Sequence, residues 1–259
     1  MNIVVCIKQV PDVNDIKWTK ENNLDRSQML SAINKYDEYA LDWAMNLKIN
    51  FIDTKITVIS MGPESAKDML KYALAKGCNR AILLSDKMFA ASDTLATSKI
   101  LASAIKKYVP DFNLIITGQM AVDGDTAQVP VSLSQLLDIY DITNAIEIIN
   151  ADKDNVMLKQ KLGNTINLIE AKTPCLVAVK EECPKKFTPR INDYIRAQNK
   201  NIEQYCFEDL ELEKSEVGII GSPTIVYKAF RPAEEKDTAV IKENQSMFIL
   251  DLIKKVKNE

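Results

Sequence analysis

The residues with the clearest chemical potential form one loop, which begins at Gly118 and ends at Val129. It follows a short apolar run that ends at Ile116, and it precedes a second apolar stretch from Leu133 to Leu137. A junction between a strand and a helix leaves backbone N–H groups unpaired at the positive end of the helix dipole, where phosphate binds readily. The loop is therefore a candidate phosphate site. Between its two ends it contains Gln119, Met120, Ala121, Val122, Asp123, Gly124, Asp125, Thr126, Ala127 and Gln128.

The side chains of this loop differ in how well they suit an anion. Thr126 and Gln128 are neutral donors. Asp123 and Asp125 repel phosphate, so we assign them to helix capping, loop shaping or a sugar hydroxyl. Pro130 has no N–H and removes one contact unless it occupies the first turn of the helix. A surface turn that only caps the helix fits the same residues, and the loop alone leaves both interpretations open.

Two further clusters lie at junctions of the same kind. One precedes the first helical pattern and consists of Asn34, Lys35, Tyr36 and Asp37. The other contains Met61 and Gly62, directly after a second apolar run. Taken alone, each cluster is more typical of a turn or a helix cap. The loops that follow neighbouring parallel strands converge at one edge of a sheet, however, so all three clusters are expected to line one crevice.

Short β-branched runs alternate with amphipathic segments through the first half of the chain. Each run is apolar throughout, as in buried parallel strands. The runs are Ile3–Ile7, Ile56–Ile59, Ala81–Leu84 and Leu114–Ile116. Of the helical patterns between them, one ends at Gly77, and another starts from Ser92 as N-cap and ends before Pro110. Repeated strand–helix units predict an α/β fold with a doubly wound, mostly parallel sheet.

The pattern changes after about residue 140. Two alternating runs, 156–161 and 165–169, flank Gly163-Asn164 and predict a β-hairpin, and 174–179 predicts one more buried strand. We therefore predict an α/β nucleotide-binding domain over residues 1–180. Residues 181–259 are more highly charged, and we predict an extended C-terminal arm that contacts a partner and ends in a short helix at 248–256. A mobile tail is the alternative, although apolar runs in this region are poor solvated linkers.

The composition argues against several classes of protein. The chain has 259 residues, of which 46% are hydrophobic, enough to bury a sizeable core. Its formal net charge of -3 provides no broad cationic surface for nucleic acid or an anionic membrane. The apolar start is too short for a signal peptide or a membrane span. We therefore expect a cytoplasmic protein that has no membrane span and binds no nucleic acid.

The residues that are missing restrict the chemistry further. The chain has no histidine, which removes Ser-His-Asp and Cys-His catalysis and histidine ligation of metals. Its five cysteines show no C-x-x-C spacing, which argues against a disulfide framework and against zinc or iron–sulfur sites. Neither a G-x-G-x-x-G nor a Walker motif is present. No side chain is nominated as catalytic, and any redox chemistry must come from a cofactor.

Several motifs in combination identify a family. In order along the chain they are V-V-C-I-K-Q-V-P-D, I-N-K-Y-D-E-Y-A, V-I-S-M-G-P, A-L-A-K-G-C-N-R-A-I-L-L, L-I-I-T-G-Q-M-A-V-D-G-D-T-A-Q-V and G-S-P-T. Together they resemble the beta subunit of electron transfer flavoproteins over essentially the whole chain. The resemblance implies an adenine-nucleotide-binding sheet and a heterodimer whose alpha subunit carries an electron-transferring FAD. The nucleotide contacts that it carries over are Cys6, Asn34–Asp37, Met61 in its S-M-G-P turn with Gly62, and Gly118–Val129.

The resemblance leaves two ligands open for this subunit. Bound AMP would make it a structural scaffold, whereas bound FAD would accept hydride from NADH and divide the electrons between two acceptors. The motif D-G-D-T-A-Q-V, together with G-S-P-T, resembles members with flavin in both subunits. That resemblance implies that Ser222 and Thr224 approach the flavin. We therefore expect FAD and electron bifurcation, with AMP as the alternative. A stand-alone adenine-nucleotide sensor with the same sheet is the alternative from another class.

The resemblance also implies a recognition region for a dehydrogenase, either an acyl-CoA dehydrogenase or another flavin dehydrogenase. It falls on a locally basic segment that contains apolar residues, as contact surfaces often do. A solvated basic face is the alternative. The candidate partner-binding residues are Arg190, Ile191, Tyr194, Ile195 and Arg196.

Overall fold

A computed structural model describes residues 1–11, 31–51, 53–225, 249–250 and 253–254. Within these residues the fold is built on one large central sheet, flanked by helices on both faces. The strands are β1 (Asn2–Cys6), β2 (Gln9–Pro11), β3 (Ser31–Ile33), β4 (Lys55–Met61), β5 (Arg80–Leu84), β6 (Leu114–Gly118), β7 (Tyr140–Ala151), β8 (Asn155–Leu162), β9 (Thr165–Lys172), β10 (Cys175–Val179) and β11 (Glu203–Tyr205). The helices are α1 (Lys35–Asn50), α2 (Ala66–Lys76), α3 (Thr94–Tyr108), α4 (Val129–Leu137) and α5 (Ile191–Gln198).

The sheet has the strand order β11-β5-β4-β1-β6-β10-β7-β8-β9 among the described residues. Neighbouring strands are parallel from β11 to β7, and β7, β8 and β9 are antiparallel. From β1 the main sheet grows outward through β4 and β5, and the chain then crosses back to place β6 on the other side of β1. The strand order therefore reverses between β1 and β6. This arrangement is the doubly wound α/β fold that the sequence predicts.

Side chains alternate between the two faces of the sheet and build two cores. Val58, Leu83 and Ile116 face one core, which α1 and α2 cover. The neighbouring strand positions Ile59 and Ile115 face the other core, which α3 and α4 cover. Strands buried on both faces have to be apolar throughout, which is why they appear as unbroken hydrophobic runs in the sequence.

Local signals place most helix ends correctly. Gly77 has a φ of 124° and follows the last residue of α2, in a conformation that favours glycine. The predicted N-cap of α3 is wrong, because Asp93 and not Ser92 accepts the N–H groups of Leu95 and Ala96. A carboxylate at this position also stabilises the positive end of the helix dipole. Ser92 instead donates its hydroxyl to the carbonyl of Phe89.

The predicted hairpin is present as β8 and β9, and the predicted strand after it is β10. The predicted arm begins with regular structure that its weak periodicity does not reveal. Helix α5 packs on α2, and β11 adds a parallel strand beside β5. The pairing of β11 is reinforced by the guanidinium of Arg80, which donates to both carboxylate oxygens of Glu203 at 2.9 and 2.8 Å. The rings of Tyr108 and Tyr205 also stack, with 3.7 Å between their centroids.

The predicted terminal helix lies largely outside the described residues. Its described positions, 249–250 and 253–254, are helical. No helix in the described segments is both long and apolar enough to cross a membrane.

Candidate functional site

The candidate site lies where the strand order reverses, at the carboxyl ends of β1 and β6. In open α/β sheets, ligands bind in the crevice outside such a switch point. Cys6 and Thr117 are direct neighbours in register there, and both are buried. The Oγ1 atom of Thr117 has no hydrogen-bond partner in the described structure. The buried hydroxyls of Thr54 and Ser60 also lack a partner in the described structure, so Thr117 is distinguished by its position at the end of β6 beside Cys6.

A buried carboxylate holds the two strand ends together. Asp37, in the first turn of α1, accepts the backbone N–H of Lys8 at 2.7 Å and that of Gly118 at 3.2 Å. Burial raises the pKa of Asp37 to about 7, although its hydrogen bonds and the nearby Lys8 ammonium favour the ionised form. Gly118 has to be a glycine, since a Cβ there would lie 2.4 Å from the Asp37 Oδ1 atom and 2.7 Å from the Tyr36 carbonyl carbon.

Asn34 ties the beginning of the loop to the same helix. Its side-chain amide donates to the carbonyl of Met120 at 2.8 Å and accepts the N–H of Val122 at 3.1 Å. Asn34 is the N-cap residue of α1 but makes no capping bond to the helix backbone, and its side chain also hydrogen-bonds to the Asp37 carboxylate. Asn34 and Asp37, both predicted as nucleotide contacts, are therefore used to shape the strand ends and the loop.

The rest of the loop turns its backbone toward solvent. Asp125 and Ala127 adopt positive φ angles of 51° and 53°, and Gln128, the next residue, is right-handed. Successive residues of opposite handedness direct their N–H groups toward one point and form an anion-binding concavity. Within the described part of the chain, no protein acceptor takes the N–H groups of Thr126, Ala127, Gln128 and Val129.

The entry of the loop into α4 agrees with this geometry. Helix α4 begins at Val129, so Pro130 occupies its first turn. The N–H groups of a first turn have no partner inside the helix, so proline removes little there. Pro130 therefore lies in the first helical turn, the position at which its missing N–H matters least.

Of the two acidic side chains of the loop, Asp123 makes an ion pair with a residue that follows β1. Both carboxylate oxygens of Asp123 lie 2.8 Å from the Lys8 Nζ atom. This ion pair connects the loop to the segment that follows β1. Lys8 was not predicted as a site residue, and only its place directly after β1 hints at it.

Some of the remaining predicted nucleotide contacts are engaged with other parts of the protein, whereas others are open to the crevice. Met61 ends β4 and packs against the α3–α4 core, and the N–H of Gly62 donates to Leu84 at 3.0 Å. Gln119 is buried and accepts the N–H of Asn144 at 2.7 Å, so it supports the sheet. The Lys35 ammonium lies 5.7 Å from the centre of the Tyr39 ring. The described structure leaves Gly124 open, with nothing within 4 Å of a Cβ placed there.

The arm reaches the same edge of the sheet. Thr224 donates its N–H and its hydroxyl to the Asp93 carboxylate at 3.0 and 2.7 Å, and the Asp93 N–H donates to the Ser222 hydroxyl at 2.8 Å. The neighbouring Thr94 donates its hydroxyl to the side-chain oxygen of Gln128 at 2.7 Å. The structure therefore brings Ser222 and Thr224 close to the loop, but it engages their hydroxyls with protein groups. The sequence pattern favours Ser92 as the helix cap and therefore does not point to Asp93 and Thr94.

The predicted partner-binding residues lie on α5. Ile191 and Ile195 are one turn apart and are 80% and 59% exposed. The Tyr194 ring is 6.0 Å from that of Tyr72, which fixes one side of the helix on α2. Arg190 is the N-cap residue, and Arg196 in the last turn is exposed. The segment therefore presents an apolar surface flanked by two cations.

The described residues include possible metal ligands and buried thiols. They contain no group of three or more cysteine, aspartate or glutamate side chains that could hold a metal ion. Burial, reinforced by the charge of Asp37, raises the pKa of the Cys6 thiol to about 12. Burial likewise raises the pKa values of Cys78 and Cys175 to about 12. These three thiols are protonated at neutral pH and are poor nucleophiles.

Fold and site together define a doubly wound α/β protein with a candidate anion-binding loop at its switch point. The family described as Electron transfer flavoprotein domain matches residues 23–209. The chain is 35% identical over 260 residues to the electron transfer flavoprotein subunit beta of Thermoanaerobacterium thermosaccharolyticum, which covers 100% of this chain and 98% of that protein. It is 34% identical to the subunit of the same name from Clostridium acetobutylicum, over 100% of this chain and 99% of that protein.

A third relative carries another name. Protein FixA of Bradyrhizobium diazoefficiens is 35% identical over 94% of this chain and 87% of its own length. The chain belongs to the electron transfer flavoprotein family, and the first two of these relatives are beta subunits of that family. The resemblance found in the sequence motifs is thereby confirmed at the level of the family.

Proposed function

We propose that this chain binds FAD in the crevice at the ends of β1 and β6, and that it acts with an alpha subunit to pass electrons from NADH to two acceptors by flavin-based bifurcation. The observation that carries the proposal is the loop from Gly118 to Val129. It combines several backbone N–H groups without protein acceptors with the position that α/β sheets use for nucleotides.

The residues present fit a dinucleotide. The N–H groups of Thr126 to Val129 would hold the phosphates. The buried Thr117 hydroxyl lacks a partner and would take up a polar atom of the ligand in the crevice. Gly124 leaves room on the open side of the loop. The segment Gly221–Thr224 is linked to the loop through Asp93 and Thr94. The preference for FAD over AMP comes from the resemblance of this segment and of D-G-D-T-A-Q-V to members with flavin in both subunits.

When bound, FAD supplies the redox chemistry, because it can take a hydride and release its electrons singly. The chain's own residues position the ligand and support the loop. Asp37 and Asn34 fix the shape of the loop from behind, and the Lys8–Asp123 pair holds it toward β1. Asp37 accepts two backbone N–H groups and is buried, so we assign it no proton transfer to the ligand.

The proposed contacts with the nucleotide and with partner proteins lie in different parts of the chain. We propose that residues 1–180 carry the nucleotide and that residues 181–259 form the arm that contacts other chains. The α5 surface around Ile191 and Ile195 is the proposed contact for an acyl-CoA dehydrogenase or a related flavin dehydrogenase. Its exposed apolar residues and flanking arginines match the composition of protein contact surfaces. The proposed compartment is the cytoplasm.

The nucleotide content of the purified heterodimer tests the proposal. The alpha subunit would be co-expressed with this chain, the complex denatured, and FAD and AMP quantified in the extract. Two FAD per heterodimer are expected. One FAD with one AMP would instead indicate a scaffold subunit of a single-flavin carrier, and a stable monomer that retains adenine nucleotide alone would indicate a sensor.

A second measurement tests the electron donor. NADH would be titrated anaerobically into the heterodimer while the flavin absorbance is followed. Bleaching at a stoichiometry of one NADH per flavin is the expected result. A complex that contains two FAD but is not bleached by NADH would overturn the bifurcation proposal and leave FAD binding intact.

A further inference from the structure

The arm is seated against the loop that precedes α3 by close backbone contact. Val217 is buried, and the N–H of Gly218 donates to the Ser92 hydroxyl at 3.1 Å. A Cβ at Gly218 would lie 2.3 Å from the Met88 carbonyl oxygen, and its φ is 59°. Only glycine fits this approach, so the path of the arm at this point is fixed by the backbone itself.

One carboxylate joins the arm to α3 just beyond that contact. The Oδ1 atom of Asp93 accepts the N–H groups of Leu95 and Ala96, each at 3.0 Å, and so caps the helix. Its Oδ2 atom is left for the arm and accepts both donors of Thr224. The Ser222 hydroxyl receives the Asp93 N–H and donates to the Gly218 carbonyl at 2.6 Å. Helix capping and arm attachment therefore use different oxygens of the same side chain.

The next residue connects this point to the candidate nucleotide loop. Thr94 donates its hydroxyl to the side chain of Gln128, the N-cap residue of α4. Gln128 also follows Ala127 in the turn whose N–H groups are unpaired. The series Thr224, Asp93, Thr94 and Gln128 therefore runs from the arm to the loop through two hydrogen-bonded contacts and one peptide bond.

We infer that Asp93 is a positioning residue, and that it couples the docking of the arm to the shape of the nucleotide loop through Thr94 and Gln128. The inference rests on the proposed nucleotide site. Because coupling between two sites is reciprocal, a docked arm strengthens nucleotide binding, and a bound nucleotide strengthens the docking of the arm by the same factor. Any partner that pulls on the arm would thereby act on the nucleotide.

Paired substitutions in the full-length chain, purified as the heterodimer, test whether the arm acts on the nucleotide loop through Thr94 or by a separate route. Ser222→Ala with Thr224→Val weakens the attachment of the arm by removing two hydroxyls. It leaves the Thr224 N–H bond to Asp93 and the Asp93 cap on α3 in place. Thr94→Val removes the donor to Gln128. Ser215→Ala is the matched arm control, because among the described residues the Ser215 hydroxyl contacts only Glu213, at 3.3 Å. Thermal melts of all variants verify that the fold is kept.

The first readout is the dissociation rate of FAD and of AMP, used as separate probes. The Ser222/Thr224 variant is expected to release the bound probe about five times faster, at the lower end of typical couplings. In the Thr94→Val background, the Ser222 and Thr224 substitutions should change the dissociation rate very little. Equal effects in both backgrounds, or no effect in either, would overturn the coupling.

The second readout is hydrogen exchange, which does not require a ligand. When the arm hydroxyls are removed and Thr94 is present, faster exchange is expected at the hydrogen-bonded amides of the loop and of its junction with α4. These are Gly124 and Asp125, which donate to the Ala121 carbonyl at 3.2 and 2.8 Å, and Ser132, which donates to the Gln128 carbonyl at 3.0 Å. If neither FAD nor AMP binds the wild type, the proposed function fails, and the loop's exchange still decides the coupling. A loop that exchanges at the wild-type rate after arm release would refute the inference even in a chain that binds FAD.

Discussion

The backbone N–H of Gly118 donates to the carboxylate of Asp37 across 3.2 Å, at the centre of the crevice between β1 and β6. The two residues are 81 positions apart, and the absence of a side chain at Gly118 is what permits their approach. The same carboxylate holds the N–H of Lys8. The shape of the candidate site therefore depends on a contact between one glycine and one buried acid.

Gly118→Ala is expected to destabilise the fold and to empty the nucleotide site. The added Cβ would lie 2.4 Å from the Asp37 Oδ1 atom, and overpacking of this kind typically costs about 1–3 kcal/mol. Chemical denaturation and the nucleotide content of the purified protein check both effects. Gly124→Ala is the matched control in the same loop, where a Cβ meets nothing within 4 Å. Equal stability of the two variants would contradict the role given to Gly118.

The stability of the protein should depend on pH through Asp37. Its pKa in the folded protein is about 7, compared with 3.8 for the free side chain, and burial is the main cause. A raised folded-state pKa means that the protonated acid is favoured by folding. Its contribution is therefore fully present below about pH 4 and is lost as the pH rises through 7, a change on the order of 4 kcal/mol at most.

Asp37→Asn isolates this dependence, because the amide does not titrate. The free energy of unfolding would be measured from pH 5 to pH 8 for both proteins. The charged and titratable groups that face the carboxylate, Lys8 and Cys6, are the same in both. We expect the wild type to lose stability relative to the variant as the pH rises. A difference that stays constant or moves in the opposite direction would show that Asp37 is not the titrating group.

The buried pair between α1 and α2 should be sensitive to the loss of one partner. Lys76 and Asp42 lie 2.7 Å apart, and their side chains are only 2% and 9% exposed. Lys76→Ala leaves the Asp42 carboxylate buried without its cation, which is expected to cost about 3–5 kcal/mol. Urea denaturation measures the loss. Lys186→Ala breaks an exposed pair with Glu182 and should change stability by less than about 1 kcal/mol.

The α5 surface should affect partner binding without affecting the fold. Ile191→Ser and Ile195→Ser replace exposed apolar side chains, so the stability is expected to change by about 0.5 kcal/mol or less. Loss of an interface anchor typically costs more than about 1 kcal/mol, so the affinity for the dehydrogenase should fall at least about fivefold. Titration calorimetry with the heterodimer measures it. Ile49→Ser, at the exposed end of α1, is the control and should bind normally.

Much of the fold could be predicted because its information is local. The strands of the parallel sheet are buried on both faces, and each appears as an apolar run that needs no knowledge of its neighbours. Gly77 and Gly163 mark a helix end and a hairpin turn, since both adopt positive φ angles. The order of strand and helix units then predicts a doubly wound sheet. The loop from Gly118 to Val129 was found for the same reason, as a junction between two local patterns.

The missed features depend on pairing between distant residues. Helix α5 is short, and α2 supplies the surface on which it packs. Strand β11 has three residues and exists because β5 offers a free edge and Arg80 holds Glu203. The choice of Asp93 over Ser92 as a helix cap was ambiguous in the local sequence. The arm donates hydrogen bonds to both Ser92 and Asp93, which lie more than 120 positions earlier in the chain.

The sequence by itself determined the buried strands and the main helices of the α/β sheet, which residue types are absent, and to which family the chain belongs. These properties follow from residue type and short-range periodicity. Only the tertiary structure decided what the candidate site residues do. Asp37 and Asn34 shape the loop from behind, and Ser222 and Thr224 fasten the arm to Asp93. These roles rest on hydrogen bonds between residues 29 to 131 positions apart, whose geometry and burial arise only when the chain is folded.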